Sequence, residues 1–181
     1  MEESFDVLDK WGVRTGEIAG REKCHLEGLW HRAVVVFVVS MDNRRVLLQK
    51  RSAKKKLWPN CWDLTAGGHV LTGEIGYQAA IRETEEEIGL KLCLEDLLCA
   101  GSSISEDIQG EIINRHFNEY YVAHKDVDPA ELTLQPEEVQ DLKWVDWQEV
   151  RKRVRNNYEG LTDKIGCWES LLDYLESVQK Q

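Results

Sequence analysis

A chain of 181 residues with 42% apolar side chains is long enough for one domain with its own core. Its 33 acidic residues against 23 basic ones give a formal net charge of −10. That balance argues against nonspecific nucleic-acid binding, which needs a positive field, and the longest apolar run, AVVVFVV at 33–39, is strand-sized and too short to span a membrane. Five cysteines, an odd number with no CxxC spacing, read as reduced thiols of a cytoplasmic protein. The acidic start MEESFDVLDKWG has no apolar signal core. The expectation is one domain over 1–181, monomeric or homodimeric, with no nucleic-acid or membrane partner.

FDVL at 5–8 alternates as a strand does, and a turn follows at Lys10–Gly12. VRTGEIAG and REKCHLEGLWHR then lead to the clearest buried strand, AVVVFVVS at 33–40, and VLLQK at 46–50 returns from it as a hairpin. RSAKKKLWPN is a basic loop, and CWDLTAGG at 61–68 is a short strand stopped by glycines. A helix is expected from near Glu74 to Ile88, with Gly89 as its stop. KLCLEDLLCAGSSIS holds a turn and a strand. SEDIQGEIINR at 105–115 is polar and reads as a loop, an acidic lid whose Glu106 or Glu111 offers a base. HFNEYYVA (116–123) and LKWVDW (142–147) are β-rich, and helices follow near 147–156 and 166–179. The irregular alternation predicts a mixed sheet with helices packed on it.

Five glutamates fall between positions 74 and 87. On a helix Glu83, Glu86 and Glu87 stand at i, i+3 and i+4, on one side, flanking the apolar stripe of Tyr77, Ala80, Ile81, Thr84 and Ile88. Such crowding is unfavourable unless something offsets it. A solvated helix face is one account; a site for a divalent cation is another, since hard cations take oxygen ligands. Arg82 stands beside the cluster, able to fork onto Glu74 or Glu86.

Residues 68–90 resemble the Nudix box, G-x5-E-x7-R-E-U-x-E-E-x-G-U with U apolar: Gly68, Glu74, then Arg82-Glu83-Thr84-Glu85-Glu86-Glu87-Ile88-Gly89-Leu90. Every fixed position matches, and Thr84 stands where an apolar residue is usual. The resemblance implies an α/β fold, an α/β/α sandwich with a mixed sheet. It implies hydrolysis of a diphosphate linkage in a small molecule, with Mg²⁺ or Mn²⁺ as cofactor. Glu83, Glu86, Glu87 and the Gly68 carbonyl would hold metal, and Glu83, Glu86 and Arg82 would be catalytic, with Glu74 and Arg82 supporting the loop–helix geometry. The base that takes the proton from water is left among Glu83, Glu86 and a loop glutamate.

Residues of roughly 5–124 are also similar to isopentenyl-diphosphate isomerases and isomerase-like Nudix hydrolases, through HLEGLWHRAVVVFVV and LLQKRSAKKKLWPNCWDLTAGGH. That similarity implies Arg51 and Lys55 as diphosphate-binding residues. It also implies a second, histidine-containing metal site from His25, His31, His69 and Glu119, with Phe117 where a further carboxylate would stand. Gly67 occupies the position of the isomerases' catalytic cysteine, which favours hydrolysis over isomerisation. Trp30, Trp58 and Trp62 flank the expected site, as walls for a substrate or as core. Isomerisation and binding of a diphosphate metabolite without turnover are the alternatives.

Overall fold

The computed structural model describes residues 3–180. Among the described residues nine strands and four α-helices follow one another: β1 (Ser4–Leu8), β2 (Arg14–Gly20), α1 (Arg21–Glu27), β3 (His31–Val39), β4 (Arg45–Arg51), β5 (Trp62–Asp63), β6 (Ala66–His69), α2 (Gly76–Ile88), β7 (Leu97–Gln109), β8 (Ile112–His124), β9 (Val139–Asp146), α3 (Trp147–Arg155) and α4 (Ile165–Val178). The main sheet runs β5–β4–β3–β8–β7, with β6 added along β3 and β9 along β4. It is mixed, because β3 and β8 run parallel while the other pairs are antiparallel.

The continuous apolar run of β3 reflects burial on both faces. Val34, Val36 and Val38 turn to one side and pack with Ala79, Ala80 and Ile88 of α2. Val35, Phe37 and Val39 turn to the other and pack with Trp147 and Val150 of α3 and Trp168, Leu171 and Leu175 of α4. The expected α/β/α sandwich is present. Each fully buried aliphatic side chain in these two layers contributes about 1.5–3 kcal/mol. A third, smaller cluster of Phe5, Val7, Ala19 and Cys24 holds β1, β2 and α1 together as a unit at the end of the sheet.

The structure corrects the sequence reading at three places. Residues 105–115 are not a loop: they are the far half of a β7–β8 hairpin, paired through Glu106↔Arg115 to Gln109↔Ile112. Its apolar residues are few and Ile108 is exposed, so the alternation that marks a half-buried strand is missing. Its turn lies at Gly110, whose φ of 63° suits glycine. Residues 14–27, left unassigned, form β2 and α1. β2 is exposed over its first five residues, which hides its strand pattern. The stretch 61–68 divides into β5 and β6, which join different neighbours. Elsewhere the terminal helices fall within a residue of expectation.

Candidate active site

α2 ends where Gly89 adopts the left-handed conformation, with φ of 70°. It starts at Gly76 rather than Glu74, because Glu74 turns back to brace the preceding loop and accepts the Leu71 N–H at 3.0 Å. Arg82 organises the region. Its Nε and Nη2 fork onto the two Glu74 oxygens at 2.9 and 3.0 Å, and Nη2 also donates to the His69 carbonyl at 2.9 Å. Its Nη1 stands between Glu83 at 2.7 Å and Glu86 at 3.1 Å. Of the two partners the sequence offered, Glu74 receives the two-pronged fork and Glu86 a single bond. Burial acts to raise the Glu74 carboxyl, but Arg82 and the Leu71 N–H outweigh it and hold the group below its ordinary value. Thr84, the departure from the apolar pattern, is buried and donates its hydroxyl to the Ala80 carbonyl at 2.7 Å.

Glu83 lies over Gly68, where any Cβ would collide with the Glu83 carboxylate. A side chain at this position would displace the Glu83 carboxylate, since this strand touches the helix's acid directly. Glu87 is buried, and its Oε2 accepts the Gly67 N–H at 3.2 Å and the Gln49 amide at 3.3 Å. Burial, Glu83 and Glu138 push the Glu87 carboxyl up to about 8. Burial raises Glu83 as well; Arg82 opposes this, and Glu86 adds to it. Glu86 is the exposed member of the three. Arg82 spaces Glu83 from Glu86, and Glu87, its carboxyl biased toward the protonated form, closes the buried side of an open array.

The basic loop is not free. Arg51 donates to Asp63 at 3.2 Å and to the Leu57 carbonyl at 3.1 and 3.2 Å, and Lys55 pairs with Glu138. Asp63 is buried and also receives Lys164 at 2.7 Å, Thr162 at 2.9 Å and the Leu64 N–H at 2.9 Å. Gln49, Glu138 and Lys164 were not identified from the sequence. They lie in a strand, a loop and a helix N-terminus, and the fold alone brings them near Glu87 or Asp63. Glu106, by contrast, is occupied across the hairpin by Arg115 at 2.6 Å, and Glu111 is exposed beside the tip.

The three tryptophans have separate settings. Trp30 packs against Phe117 with ring centroids 5.2 Å apart and planes tilted by 52°. Trp58 has a left-handed backbone, and Lys164 stands 6.0 Å from its ring. Trp62 packs at the edge of the α3–α4 layer with Lys143 over its ring at 3.9 Å.

His25, His31 and His69 do come together, but their companion is His116 and not Glu119. The potential ligand atoms of these four histidines all lie within 4.8 Å of one another. Glu119 is turned to the opposite face of β8, where it accepts the Tyr121 hydroxyl at 2.5 Å and pairs with Arg32 at 3.5 Å. Strand alternation is the reason: His116 and Glu119 are three residues apart and must face opposite sides. Burial keeps the four rings below their ordinary pKa, His31 at about 4. Among the described residues no helix is long and apolar enough to cross a membrane.

Comparison with known proteins agrees with this architecture. A family model described as the NUDIX domain matches residues 29–165. Nudix hydrolase 3 of Arabidopsis thaliana is 37% identical over 155 residues, which is 83% of this chain but only 20% of that protein. The isopentenyl-diphosphate Delta-isomerase 2 of Aromatoleum aromaticum is 31% identical over 160 residues, covering 88% of this chain and 80% of the isomerase. Among solved structures, DR0079 from Deinococcus radiodurans superposes with a TM-score of 0.71 at 18% identity, over 94% of this chain and 98% of that one, a likeness of fold. With the family model spanning most of the chain and an unbroken box on α2, the chain belongs to the Nudix hydrolase family.

Proposed function

We propose that the chain hydrolyses a diphosphate linkage in a small molecule, a nucleoside diphosphate derivative or an isoprenoid diphosphate, by attack of water and with Mg²⁺ or Mn²⁺. The observation that carries this reading is the Arg82-braced array of Glu83, Glu86 and Glu87, with Glu87 buried beside like charge and without an ion-pair partner among the described residues. This donor set fits a hard dication. The oxygens are carboxylate, the array is open enough to leave coordination positions for water and phosphate, and the Gly68 backbone lies directly against Glu83. Glu83, Glu86, Glu87 and the Gly68 carbonyl would hold the metal, which when bound neutralises phosphate charge and acidifies water.

The chain's own contribution is position and proton transfer. Arg82 fixes the directions of Glu83 and Glu86 while Glu74 fixes Arg82. The Gly67 N–H and Gln49 aim Glu87. Glu86, partly in solvent, and Glu83 are two candidates for the base that takes the proton from attacking water. Glu138, whose charge bears on Glu87, is the loop glutamate that the geometry favours over Glu106 and Glu111. Arg51 and Lys55 reach an incoming diphosphate by exchanging Asp63 and Glu138 for phosphate oxygens.

Isomerisation is disfavoured by Gly67. It carries no thiol, and a Cβ there would lie 2.7 Å from the Val34 carbonyl oxygen, so the strand pairing leaves no room for a cysteine without a backbone shift. The test is ³¹P NMR of the purified protein with Mg²⁺, with isopentenyl diphosphate in one tube and mixed nucleoside diphosphate derivatives in another. Hydrolysis converts diphosphate resonances to monophosphate in the tube that holds the substrate class. An unchanged phosphorus spectrum with a shifted double bond in the proton spectrum would establish isomerisation instead, and binding without product would make the chain a sensor.

A further inference from the structure

The basic loop carries four cations, Arg51, Lys54, Lys55 and Lys56, in a chain of net charge −10. The two that bear on a diphosphate are tied down differently. Arg51 is held by the Leu57 carbonyl and by the buried Asp63, which Lys164 and Thr162 also reach. Exchanging that partner opens a buried network. Lys55 has one acidic partner among the described residues, Glu138, and the two side chains keep contact with solvent at 22% and 31% exposure. This is the less costly exchange. Outside it Lys54 and Glu137 repeat the pairing at 3.6 Å, both largely exposed and contributing little.

Backbone bonds fix where Glu138 stands. Its N–H donates to the Gln135 carbonyl at 2.9 Å, and its own carbonyl accepts the Ser52 N–H at 2.8 Å. Ser52 is buried and donates its hydroxyl to the Pro136 carbonyl at 3.0 Å. On the other side the Gln135 N–H bonds the Glu87 carbonyl at 2.9 Å. The turn at 135–138 is thus stitched to the basic loop and to the end of α2 together. Glu138 reaches Lys55 from this turn, and its charge also acts on Glu87. A diphosphate that engages both the α2 array and Lys55 has to span the ground that this carboxylate occupies.

We propose that Glu138 is an internal occupant of the diphosphate subsite, which holds Lys55 in the free chain and yields it only to a ligand anchored at the α2 array as well. The inference rests on the hydrolytic reading of that array and deepens it. A carboxylate meets an ammonium through anionic oxygens, as a phosphate does. Being part of the chain, it competes at a high effective concentration that a lone phosphate in solution lacks. A diphosphate held through its other phosphate competes on equal terms. The stitched backbone stays in place, so the exchange needs only rotation of the Glu138 side chain. That rotation leaves Glu138 free beside Glu87, so the loop glutamate named above as a base becomes available when substrate is bound. After cleavage a phosphate that has lost its tether is displaced from Lys55 by Glu138.

The test is calorimetric titration of the full chain in Mg²⁺ with methylenediphosphonate, a diphosphate analogue whose bridge water cannot cleave. Glu138→Gln should bind it about 5-fold more tightly than the unaltered chain, the upper end for one partly exposed pair. Glu138→Asp keeps the charge but is one methylene short of Lys55, and should tighten binding by less. Glu111→Gln, the same change of charge at the hairpin tip, should leave binding unchanged. In a Lys55→Met background Glu138→Gln should bring little gain, because no pair is left to open. Thermal melts establish folding, and Glu138→Asp carries the test if Glu138→Gln does not fold. Unchanged or weaker binding in the folded variants, an equal gain with Lys55→Met, or no binding to any of the chains would overturn the proposal. Turnover without the predicted gain would overturn this proposal alone. The gain without monophosphate formation from any substrate would overturn the hydrolytic reading and leave Glu138 as the internal competitor of a diphosphate binder.

Discussion

Glu87 and Asp63 are both buried carboxylates, yet their proton affinities move in opposite directions. Burial raises both. At Asp63 the guanidinium of Arg51 and the ammonium of Lys164 outweigh burial, and the group is held below its ordinary value. At Glu87 burial is reinforced by Glu83 and Glu138, and the group rises to about 8. Among the described residues Asp63 makes ion pairs with two cations, whereas Glu87 makes none and feels Lys164 only at a distance. One carboxylate is therefore complete within the fold and serves it; the other is left to be completed from outside. The Nε2 atoms of His25, His31 and His116 make the same point with nitrogen, buried and without a hydrogen-bond partner among the described residues.

The largest expected effect within this comparison is at Asp63. Asp63→Ala strands Arg51 and Lys164 beside a cavity and should destabilise the fold by about 3 kcal/mol, the lower end for breaking a buried pair since Lys164 keeps access to water. Denaturant unfolding measures it. The pH dependence has a fixed sign. Because the folded-state value is depressed, the stabilisation is complete above the ordinary carboxylate pKa and is lost as pH falls through the lower folded-state value. Asp63→Asn should therefore flatten the acid limb of stability against pH, and an unchanged limb would break the contrast with Glu87.

Arg82→Lys comes next. Lysine keeps the charge and loses the fork that spaces Glu83 from Glu86 and grips Glu74. Turnover should fall by about 10- to 100-fold, as small misplacements at a site do, with KM moving less than kcat. The smallest effect is at Thr84→Val, which restores the apolar pattern. The lost hydroxyl bond to Ala80 is local, so stability should change by no more than about 1 kcal/mol in thermal melts.

How much of this was legible in the sequence follows from how local each feature is. The box could be read because Gly68, Glu74, Arg82 and the three glutamates occupy one loop and one helix, where spacing determines direction. The layered fold could be read because β3 is apolar on both faces. The partners of Glu87 could not be, since Gln49 and Glu138 are 38 residues before it and 51 after it with no motif of their own. Likewise His116 reaches His31 only through the parallel pairing of β8 with β3, a register no local pattern reveals, and the same register turns Glu119 away. The polar β7–β8 arm lacked the alternation on which strand recognition depends.

The central claim is that the α2 carboxylates carry the chemistry. It is tested most directly by the rate of monophosphate formation in Mg²⁺, followed by ³¹P NMR, for the unaltered chain and for Glu86→Gln and Glu87→Gln, with thermal melts to establish folding. Each variant should lose roughly 10²–10⁴-fold in turnover, the scale of a group acting directly in proton transfer or charge neutralisation, while remaining folded. Unchanged turnover in both folded variants would contradict the account.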